Sequence, residues 1–374
     1  MKILHSAFVA GHEPGMLRQM VLEEEAANAI GLEWRSVLFV PQTSKLSGAS
    51  VIRSQVSSGV SGARTLDSLM FWSAFRRDYY RWLLTESMNH DVILLRHSMY
   101  DPFRIKYITK CRRPVFSVHH TKEVPELLCR KSLSGKLKAF AESFLGARSI
   151  KRSEGVIGVT KEVVDYEVKR ANKRPKKTFV YPNGISYDER KRYTLEDKRS
   201  LAVPELLFVA SHFSPWHGLD LLLQSLSSNQ EQFLLHLVGE VSDEDKLMAE
   251  KDQRVILHGL CGQERLSELF EFSWVGLSSF ALERKSMNEA CTLKVREYLL
   301  HGVPVYAGYH EVFPNDFPAY SRGPAEITKI LEYARETRSL EKLDIARRAE
   351  PFISKKNLVK ALGVWLDKTL EEAR

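Results

Sequence analysis

Short apolar runs alternate with longer segments of helical periodicity along almost the whole 374-residue sequence. The runs are apolar throughout, which is typical of parallel strands buried on both faces. Between them, segments such as Met16–Ala29 and Leu219–Leu226 have the periodicity of helices. In the first half the pattern predicts strands at Ile3–Val9, Trp34–Val40, Val92–Arg96, Val115–His119, Val156–Thr160 and Phe179–Pro182. In the second half it predicts strands at Leu206–Ala210, Leu234–Gly239, Val255–Gly259, Val275–Ser279 and Val303–Ala307.

Alternation of strands and helices predicts α/β domains with doubly wound parallel sheets. The pattern fails over residues 187–204, which are rich in charge and poor in apolar residues. We therefore predict one Rossmann-like domain at residues 1–186, a linker at 187–204 and a second such domain at 205–352. Residues 353–374 are predicted to form a helix that crosses back to the first domain. Ligands of parallel sheets bind beyond the carboxyl ends of the strands, so this organisation predicts a ligand site in a central cleft.

The charge balance favours anionic partners. Lysine and arginine total 55 against 47 acidic residues, which gives a formal net charge of +8. Two basic runs without acidic residues, Arg104–Arg113 and Lys169–Lys177, lie in the first half. Nucleotide phosphates, anionic lipid head groups and nucleic acid would all suit this excess.

Composition also limits the class of protein. The sequence is 44% hydrophobic and 27% charged, which argues against wholesale disorder. No run approaches the ~18 apolar residues of a membrane span, and the first apolar run ends at a Gly/Pro loop, so we predict a strand there and no signal peptide. The four cysteines are scattered without a C-x-x-C pair, which predicts a cytoplasmic protein without a disulfide framework.

Residues 278–309 contain the most informative motif. A predicted strand ends near Phe280, and Thr292 is placed to cap a helix at Leu293–Leu300. Gly302 is predicted to end this helix in a left-handed conformation, and Pro304 prevents its continuation.

The start of this helix is a candidate anion site. Backbone N–H groups of Leu293 and Lys294 and the helix dipole would favour a diphosphate there. Glu297 lies one turn further along, where its carboxylate could accept both hydroxyls of a ribose. Glu289, in the preceding loop, could reach hydroxyls of a group beyond the phosphates.

Glu289 and Glu297 form an E-x7-E pair, followed by His301-Gly302-Val303-Pro304. This segment resembles the donor-site signature of retaining GT-B glycosyltransferases that use nucleotide-sugars to build bacterial surface polysaccharides. Two glutamates eight residues apart occur by chance in most proteins. Their position before a G-x-P strand, late in a second α/β domain, makes the resemblance specific.

Other segments resemble the family in the same order along the chain. Leu207–Leu223 is similar to the first strand of the second domain and its His-Gly turn at Gly218, and His236–Glu240 to the L-x-V-G strand. Val180–Ile185 resembles the P-N-G-I element at the domain junction. His119 and His120 resemble the histidine segment at a strand end, and His12–Gly15 the glycine loop after the first strand, which would place Gly15 near the ligand.

The resemblance implies a mechanism. The nucleotide-sugar would bind the second domain, with Glu297 on its ribose and Glu289 near the sugar. His119 or His120, with His119 preferred on the family pattern, would contact the sugar. The acceptor would attack from the face that the diphosphate leaves, so the anomeric configuration is retained and the leaving phosphate can act as base. Neither a metal nor a separate cofactor is expected, since we identify no D-x-D motif or His/Asp cluster that is suited to a metal.

One feature departs from the family pattern. An Arg/Lys pair normally follows the first strand of the second domain and holds the diphosphate, and Ser211, His212 and His217 stand there instead. Cationic side chains are still needed on the leaving group. The candidates to replace the pair are Arg284, Lys285 and Lys294.

Each of these residues has a structural alternative. Glu297 and Glu289 could be solvated carboxylates, Asn183–Gly184 a simple turn, and His217–Gly218 a helix cap. Leu66–Leu84 and Lys131–Arg152 are basic amphipathic stretches that could contact an anionic membrane. The alternative is that both are helices packed in the core with solvated basic faces.

Together with these patterns, the resemblance implies a retaining, metal-independent glycosyltransferase. It would transfer a sugar from a UDP-sugar to a glycan or a lipid-linked oligosaccharide, in the cytoplasm or at the inner face of the membrane. The closest alternative is a sugar-nucleotide epimerase of the same architecture. A non-catalytic nucleotide- or nucleic-acid-binding protein is the other, but no nucleic-acid recognition motif is present, so nucleic acid is not an expected partner.

Overall fold

The computed structural model describes residues 1–11, 13–56, 64–129, 132–171, 176–186, 197–200 and 202–372. The chain divides into two compact units. The first unit is Met1–Tyr181 together with Lys355–Arg374, and the second is Pro182–Ser354. The C-terminal helix thus belongs to the first unit.

The first unit is built on a parallel sheet of seven strands in the order β3-β2-β1-β4-β5-β6-β7. Its strands are β1 (Lys2–Phe8), β2 (Glu33–Val40), β3 (Val51–Arg53), β4 (Val92–Arg96), β5 (Val115–His119), β6 (Gly155–Gly158) and β7 (Lys177–Val180). Its helices are α1 (Pro14–Asn28), α2 (Arg64–Glu86), α3 (Pro102–Lys110), α4 (Glu123–Cys129), α5 (Leu133–Arg152), α6 (Lys161–Arg170) and α13 (Lys355–Glu371).

Hydrophobic cores cover both faces of this sheet. Val92 and Leu94 of β4 pack with Leu362 of α13, whereas Ile93 and Leu95 pack with residues of α2 and α3. Successive strand residues point to opposite faces, so a strand covered on both faces must be apolar throughout. This is the reason for the continuous apolar runs in the sequence.

The second unit contains six parallel strands in the order β10-β9-β8-β11-β12-β13. They are β8 (Glu205–His212), β9 (Leu234–Glu240), β10 (Val255–Gly259), β11 (Val275–Leu277), β12 (Val305–Ala307) and β13 (Tyr320–Arg322). The helices are α7 (Leu219–Ser225), α8 (Asp243–Ala249), α9 (Gln263–Phe272), α10 (Leu293–Leu300), α11 (Ile327–Thr337) and α12 (Lys342–Ile353). Leu206 and Phe208 of β8 belong to one core cluster and Leu207 to another.

The structure confirms all eleven predicted strands, with shifts at some ends. Three match at both ends, namely Val92–Arg96, Val115–His119 and Val255–Gly259. The sequence analysis did not predict Val51–Arg53 or Tyr320–Arg322. Each of these strands has three residues at a sheet edge, which is too short for a recognisable apolar run.

The limits of the units differ from those in the sequence analysis. The division falls after Tyr181 and after Ser354, five residues before and two residues after the predicted limits at 186 and 352. Most of the predicted linker at 187–204 lies outside the described residues. No helix in the described part of the chain combines the length and the hydropathy needed to cross a bilayer.

Candidate functional site

Loops after β8, β11 and β12 meet at the carboxyl edge of the second sheet. The backbone N–H of Phe280 donates to the His217 carbonyl at 2.9 Å, and the N–H of Gly308 donates to the Ser279 carbonyl at 2.9 Å. These bonds fix the relative positions of the three loops. A cavity of about 360 Å³ opens at the same edge and is lined by Phe280, Gly308, Arg322, Gly323 and Pro324.

Helix α10 begins at this edge and has the bounds that the sequence predicts. Val295, Tyr298 and Leu299 are fully buried. Gly302 ends the helix with φ of 67°, as predicted, and a side chain there would also collide with the backbone of Lys342. Thr292 occupies the N-cap position without a capping bond from its hydroxyl.

The hydroxyl of Thr292 instead lies 3.2 Å from that of Tyr309, which is 2.9 Å from the Ser278 hydroxyl. Thr292 is thus the N-cap residue, as predicted, but its hydroxyl contacts Tyr309 instead of capping the helix. The first N–H groups of an α-helix have no acceptor within the helix. The first N–H groups of α10 therefore have no acceptor within the helix, and the predicted anion site at Leu293 depends on these donors.

Lys294 is the most unusual cation at this edge. The residue is partly exposed, but its ammonium nitrogen is buried and has no hydrogen-bond partner in the part of the chain that the structure describes. The ring of Phe208 lies 5.5 Å from it. Burial alone lowers the pKa of Lys294 from 10.5 to about 7. A buried ammonium without a carboxylate is costly unless an anion binds beside it.

His217 lies close enough to Lys294 for the lysine charge to affect the pKa of its imidazole. Burial and the positive charge of Lys294 lower the pKa of His217 to about 3, so the imidazole is neutral. Its Nδ1 accepts the backbone N–H of Ser214 at 2.9 Å, which places the ring proton on Nε2. This imidazole is therefore a neutral donor beside the lysine.

The other two candidate cations have neighbours of their own. Arg284 makes a bidentate pair with Asp220, at 3.0 and 2.8 Å, and donates to the Pro215 carbonyl. Lys285 lies 4.4 Å from the centre of the Trp216 ring. The charge of Arg284 is thus balanced locally, whereas no carboxylate among the described contacts balances Lys294.

The two motif glutamates lie in different surroundings. Glu289 forms a parallel bridge with His310, so the loop before α10 runs beside the loop after β12. Glu297 lies within α10, one turn beyond Lys294, and is partly exposed. Their roles at the ribose and the sugar stay predictions.

The sequence analysis did not identify Arg296 as the residue that holds α10 and the loop before it in place. The Arg296 guanidinium is fully buried and pairs with Glu311, and it also donates to the Asn183 carbonyl at 3.1 Å. The Asn183 side-chain amide in turn donates to the Cys291 carbonyl at 2.7 Å. Asn183 is therefore a structural tie to the loop before α10, a role that its P-N-G-I context alone did not reveal.

The two predicted glycines differ in position. Gly218 has φ of 69°, and an added Cβ would approach that of Phe280 to 2.9 Å. Its N–H donates to the Pro215 carbonyl, so this donor already has an acceptor. Gly15 lies in the first turn of α1 and not in a loop, because the helix begins at Pro14, a residue favoured at that position. His12 falls outside the described residues.

His119 lies at the carboxyl end of β5 and has no exposed surface. Its Nε2 is 2.8 Å from the Ser117 hydroxyl, and its Nδ1 is 2.8 Å from Glu123. Burial lowers the pKa of His119 well below 6.5. Contact between this imidazole and a sugar would require it to exchange one of these partners.

His120 has different neighbours. Its Nε2 is buried without a hydrogen-bond partner among the described residues. Burial, followed by the charge of Arg96, lowers its pKa well below 6.5. The preference for His119 over His120 as the sugar contact stays a prediction.

The sequence analysis also missed a group of buried polar residues around His119. It contains His97, Glu142, Glu167 and Arg170, which come from the loop after β4 and from helices α5 and α6. Burial and the carboxylate of Glu123 raise the pKa of Glu167 to about 8. These residues lie far apart in the sequence and form no motif there.

The two amphipathic stretches behave differently. Phe75, Tyr79 and Leu83 of α2 are buried in the core of the first unit. Helix α5 buries a face of small and polar residues, including Gly135 and Ala139. Its large apolar side chains are left 64–80% exposed, and these are Leu133, Leu137, Phe140 and Phe144.

Solved structures of similar architecture cover the whole chain. The sucrose-phosphate synthase tll1590 of Thermosynechococcus elongatus matches with a TM-score of 0.66 and 16% identity over 100% of both chains. The lipopolysaccharide outer core galactosyltransferase WaaB matches with a TM-score of 0.63 and 13% identity over 98% of this chain and 99% of WaaB. The chain has the GT-B fold.

A third GT-B structure was determined with a ligand. Anabaena Alr3699/HepE in complex with UDP matches with a TM-score of 0.62 and 15% identity, over 98% of this chain and 100% of HepE. No family model and no curated protein sequence matches this chain. The likeness therefore establishes the fold, and the activity has to be inferred from the site.

Proposed function

We propose that this protein is a retaining glycosyltransferase that transfers a sugar from a nucleotide-sugar, with UDP as the nucleotide, to a glycan or lipid-linked acceptor. The observation that carries the proposal is the buried ammonium of Lys294 at the start of α10, which has no hydrogen-bond partner among the described residues. A diphosphate at that position would supply the missing counter-charge. The GT-B fold and the E-x7-E segment support the same conclusion.

Donor binding follows from the residues of α10. Lys294 and the first N–H groups of the helix would hold the diphosphate, and the neutral His217 would donate a further hydrogen bond. Glu297, one helical turn along, would accept the ribose hydroxyls. Lys285, which lies against Trp216, would contribute positive potential from the neighbouring loop. Arg284 would contribute less, because Asp220 already balances its charge.

Catalysis would depend on charge stabilisation at the leaving group. As the bond from the anomeric carbon to the diphosphate breaks, negative charge grows on the phosphate beside Lys294, and donors already in place stabilise it. Glu289 would position the sugar through its hydroxyls. The acceptor hydroxyl would attack from the same face and lose its proton to the departing phosphate, which retains the anomeric configuration. This scheme assigns no step to a metal.

Binding of nucleotides tests the proposal directly. We expect UDP to raise the melting temperature of the full chain more than other nucleotides do. At a hundredfold excess over Kd, bound UDP should add ~2.7 kcal/mol to the free energy of unfolding. Lys294→Met and Glu297→Gln should each weaken binding by roughly tenfold or more. Lys329→Met is the matched control, because Lys329 is an exposed lysine of the same unit paired with Glu332.

Equal UDP affinity in Lys294→Met and the wild type would exclude Lys294 as the diphosphate ligand. Product analysis separates the alternative functions. A transferase forms a glycoside of unchanged anomeric configuration, whereas an epimerase releases UDP from a UDP-sugar without any acceptor. Nucleotide binding without either product would indicate a non-catalytic protein.

The exposed face of α5 is a candidate surface for contact with a membrane that carries the acceptor. Leu133, Leu137, Phe140 and Phe144 form one stripe, and Lys136, Arg148 and Lys151 lie within about 60° of it at 100° per residue. Apolar side chains flanked by cations match an anionic lipid surface. The proposal therefore includes peripheral contact with an anionic membrane through α5, where a lipid-linked acceptor would be met.

A further inference from the structure

Two imidazoles and a carboxylate converge inside the first unit. The residues are His97 after β4, His119 at the end of β5 and Glu123 at the start of α4. Each offers one nitrogen or oxygen atom, and these atoms lie within 4.8 Å of one another. The two rings stack with their centres 4.4 Å apart. All three side chains are at least nine-tenths buried.

The outer nitrogens of both rings have partners of their own. The Nε2 of His97 is 2.9 Å from the Glu142 carboxylate, and the Nε2 of His119 is 2.8 Å from the Ser117 hydroxyl. Carboxylate or hydroxyl partners on the outer nitrogen are what orients histidine ligands in metal sites. The Nδ1 of His119 lies 2.8 Å from the Glu123 carboxylate, and the Nδ1 of His97 is the nitrogen of that ring left for a ligand.

Several atoms of this group have no hydrogen-bond partner among the residues that the structure describes. They are the Nδ1 of His97, the Oε2 of Glu123 and the Oε1 of Glu167, and all three atoms are buried. The other oxygen of Glu167 lies 3.8 Å from the Nδ1 of His119. A neutral His97 and the two carboxyl groups would offer the lone pairs of these atoms to a metal ion.

Carboxyl groups outnumber the cation that pairs with them here. Glu123, Glu142 and Glu167 share the guanidinium of Arg170. Arg104 lies near His119, but its donors go to Ser117 and other uncharged oxygens. The three carboxyl groups are thus held together beside the two imidazoles.

We propose that His97, His119, Glu123 and Glu167 bind one divalent transition-metal ion, with Zn²⁺ the best match. Two nitrogens and two carboxylate oxygens suit the tetrahedral coordination of zinc. Ligand atoms on such an ion lie roughly 3.3 Å apart, since each bond is about 2.0–2.1 Å. A small contraction of the group would reach that spacing. Glu142 and Ser117 would hold the two imidazoles from outside.

Such an ion would be structural, because the site is closed to solvent and its ligands come from four separate elements. It would join the loop after β4 to β5, α4 and α6. Glu142 already fixes the same loop through the N–H of Tyr100, whose φ is 44°. This inference is independent of the proposed transfer reaction.

The test uses the full chain, stripped with a chelator and titrated with Zn²⁺ and Co²⁺. We expect one ion per chain, a raised melting temperature and the visible absorption of Co²⁺ in a tetrahedral site. His97→Ala and Glu123→Gln should weaken Zn²⁺ binding at least tenfold, and Glu142→Gln should weaken it less. His258→Ala is the control, because His258 belongs to another histidine pair, with His236, in the second unit.

Three results would overturn the site. The first is a wild-type chain that binds no ion stoichiometrically, which would mean that protons alone satisfy the group. The second is unchanged affinity in both His97→Ala and Glu123→Gln. The third is loss of binding in His258→Ala with binding retained in His97→Ala. Because the first result needs only the wild-type chain, a variant that fails to fold leaves the test intact.

Discussion

The ammonium of Lys294 makes a prediction about pH, because its pKa of about 7 lies far below the 10.5 of an exposed lysine. The unfolded chain holds this proton more tightly than the folded chain does. The cost of burying the charge is therefore fully present below pH 7 and is lost as the pH rises towards 10.5. Lys294→Met should accordingly raise the free energy of unfolding of the ligand-free protein by roughly 1–4 kcal/mol at pH 7 and by little at pH 10. Chemical denaturation at the two pH values measures this difference.

Nucleotide affinity should fall as the pH rises above 7, whereas the stability of the ligand-free protein should rise. The diphosphate needs the charged lysine, so UDP affinity of the wild type should fall by up to about tenfold per pH unit above pH 7. Lys294→Met should lack this dependence and bind weakly throughout. Calorimetric titrations from pH 6.5 to 9 would record it. Parallel pH profiles for the wild type and the variant would contradict the assignment.

Arg296 gives a second prediction at this scale. Its guanidinium and the Glu311 carboxylate are both fully buried, so removal of one partner leaves the other as an uncompensated charge. Arg296→Met should lower the free energy of unfolding by about 3–5 kcal/mol. The double variant Arg296→Met/Glu311→Leu should recover much of this loss. A single variant within about 1 kcal/mol of the wild type in denaturant titrations would show that the pair does not anchor α10.

At the scale of elements, α5 has an apolar stripe that the fold leaves uncovered. Leu137→Glu and Phe140→Glu should reduce binding to vesicles that contain anionic lipid, because they replace apolar insertion by charge repulsion. Both side chains are more than 70% exposed, so the stability of the chain should change little. Leu247→Glu is the matched control, because Leu247 is a 63% exposed residue of α8 in the second unit.

Co-sedimentation at low and high salt is the measurement for α5. Wild-type binding that is absent, or that is equal in the two α5 variants, would exclude the membrane contact. A dimer of the lipid-free chain that the α5 variants dissociate would instead identify a second copy of this chain as the occupant of the stripe.

Elements buried on both faces were predictable, because continuous apolar runs and helix-ending signals are local in the sequence. Helix α10 illustrates this, with its apolar face and Gly302 fixing both limits. The sequence could not show that α2 packs in the core while α5 leaves its apolar side chains exposed, since both stretches have a similar amphipathic composition. What distinguishes them is which face meets neighbouring elements, a property of the tertiary structure.

The limits of site prediction have the same physical origin. Glu289, Lys294 and Glu297 fall within the nine residues of one motif, so the sequence places them on one loop and one helix. Glu142 pairs with His97, and Glu167 lies 3.8 Å from His119, from two different helices, and no spacing relates them. The ion pair between Arg284 and Asp220 likewise joins residues 64 positions apart in the sequence.

At the scale of the whole molecule, the first unit is completed by a helix from the other end of the chain. Leu362 and Leu366 of α13 are fully buried in the same core as Ile3 and Val92. Replacement of either leucine by alanine should destabilise the protein by about 2–5 kcal/mol through the cavity left behind.

The two-unit organisation predicts how far that damage extends. The proposed nucleotide site is built entirely from residues of Pro182–Ser354, so Leu366→Ala should lower the melting temperature while UDP affinity stays within about twofold of the wild type. Lys294→Met should do the reverse, weakening UDP binding without lowering stability. Calorimetric unfolding and UDP titration of the two variants side by side would measure both effects. If Leu366→Ala weakened UDP binding as strongly as Lys294→Met at a temperature where the variant is folded, the site would depend on the first unit and would not lie on the second unit alone.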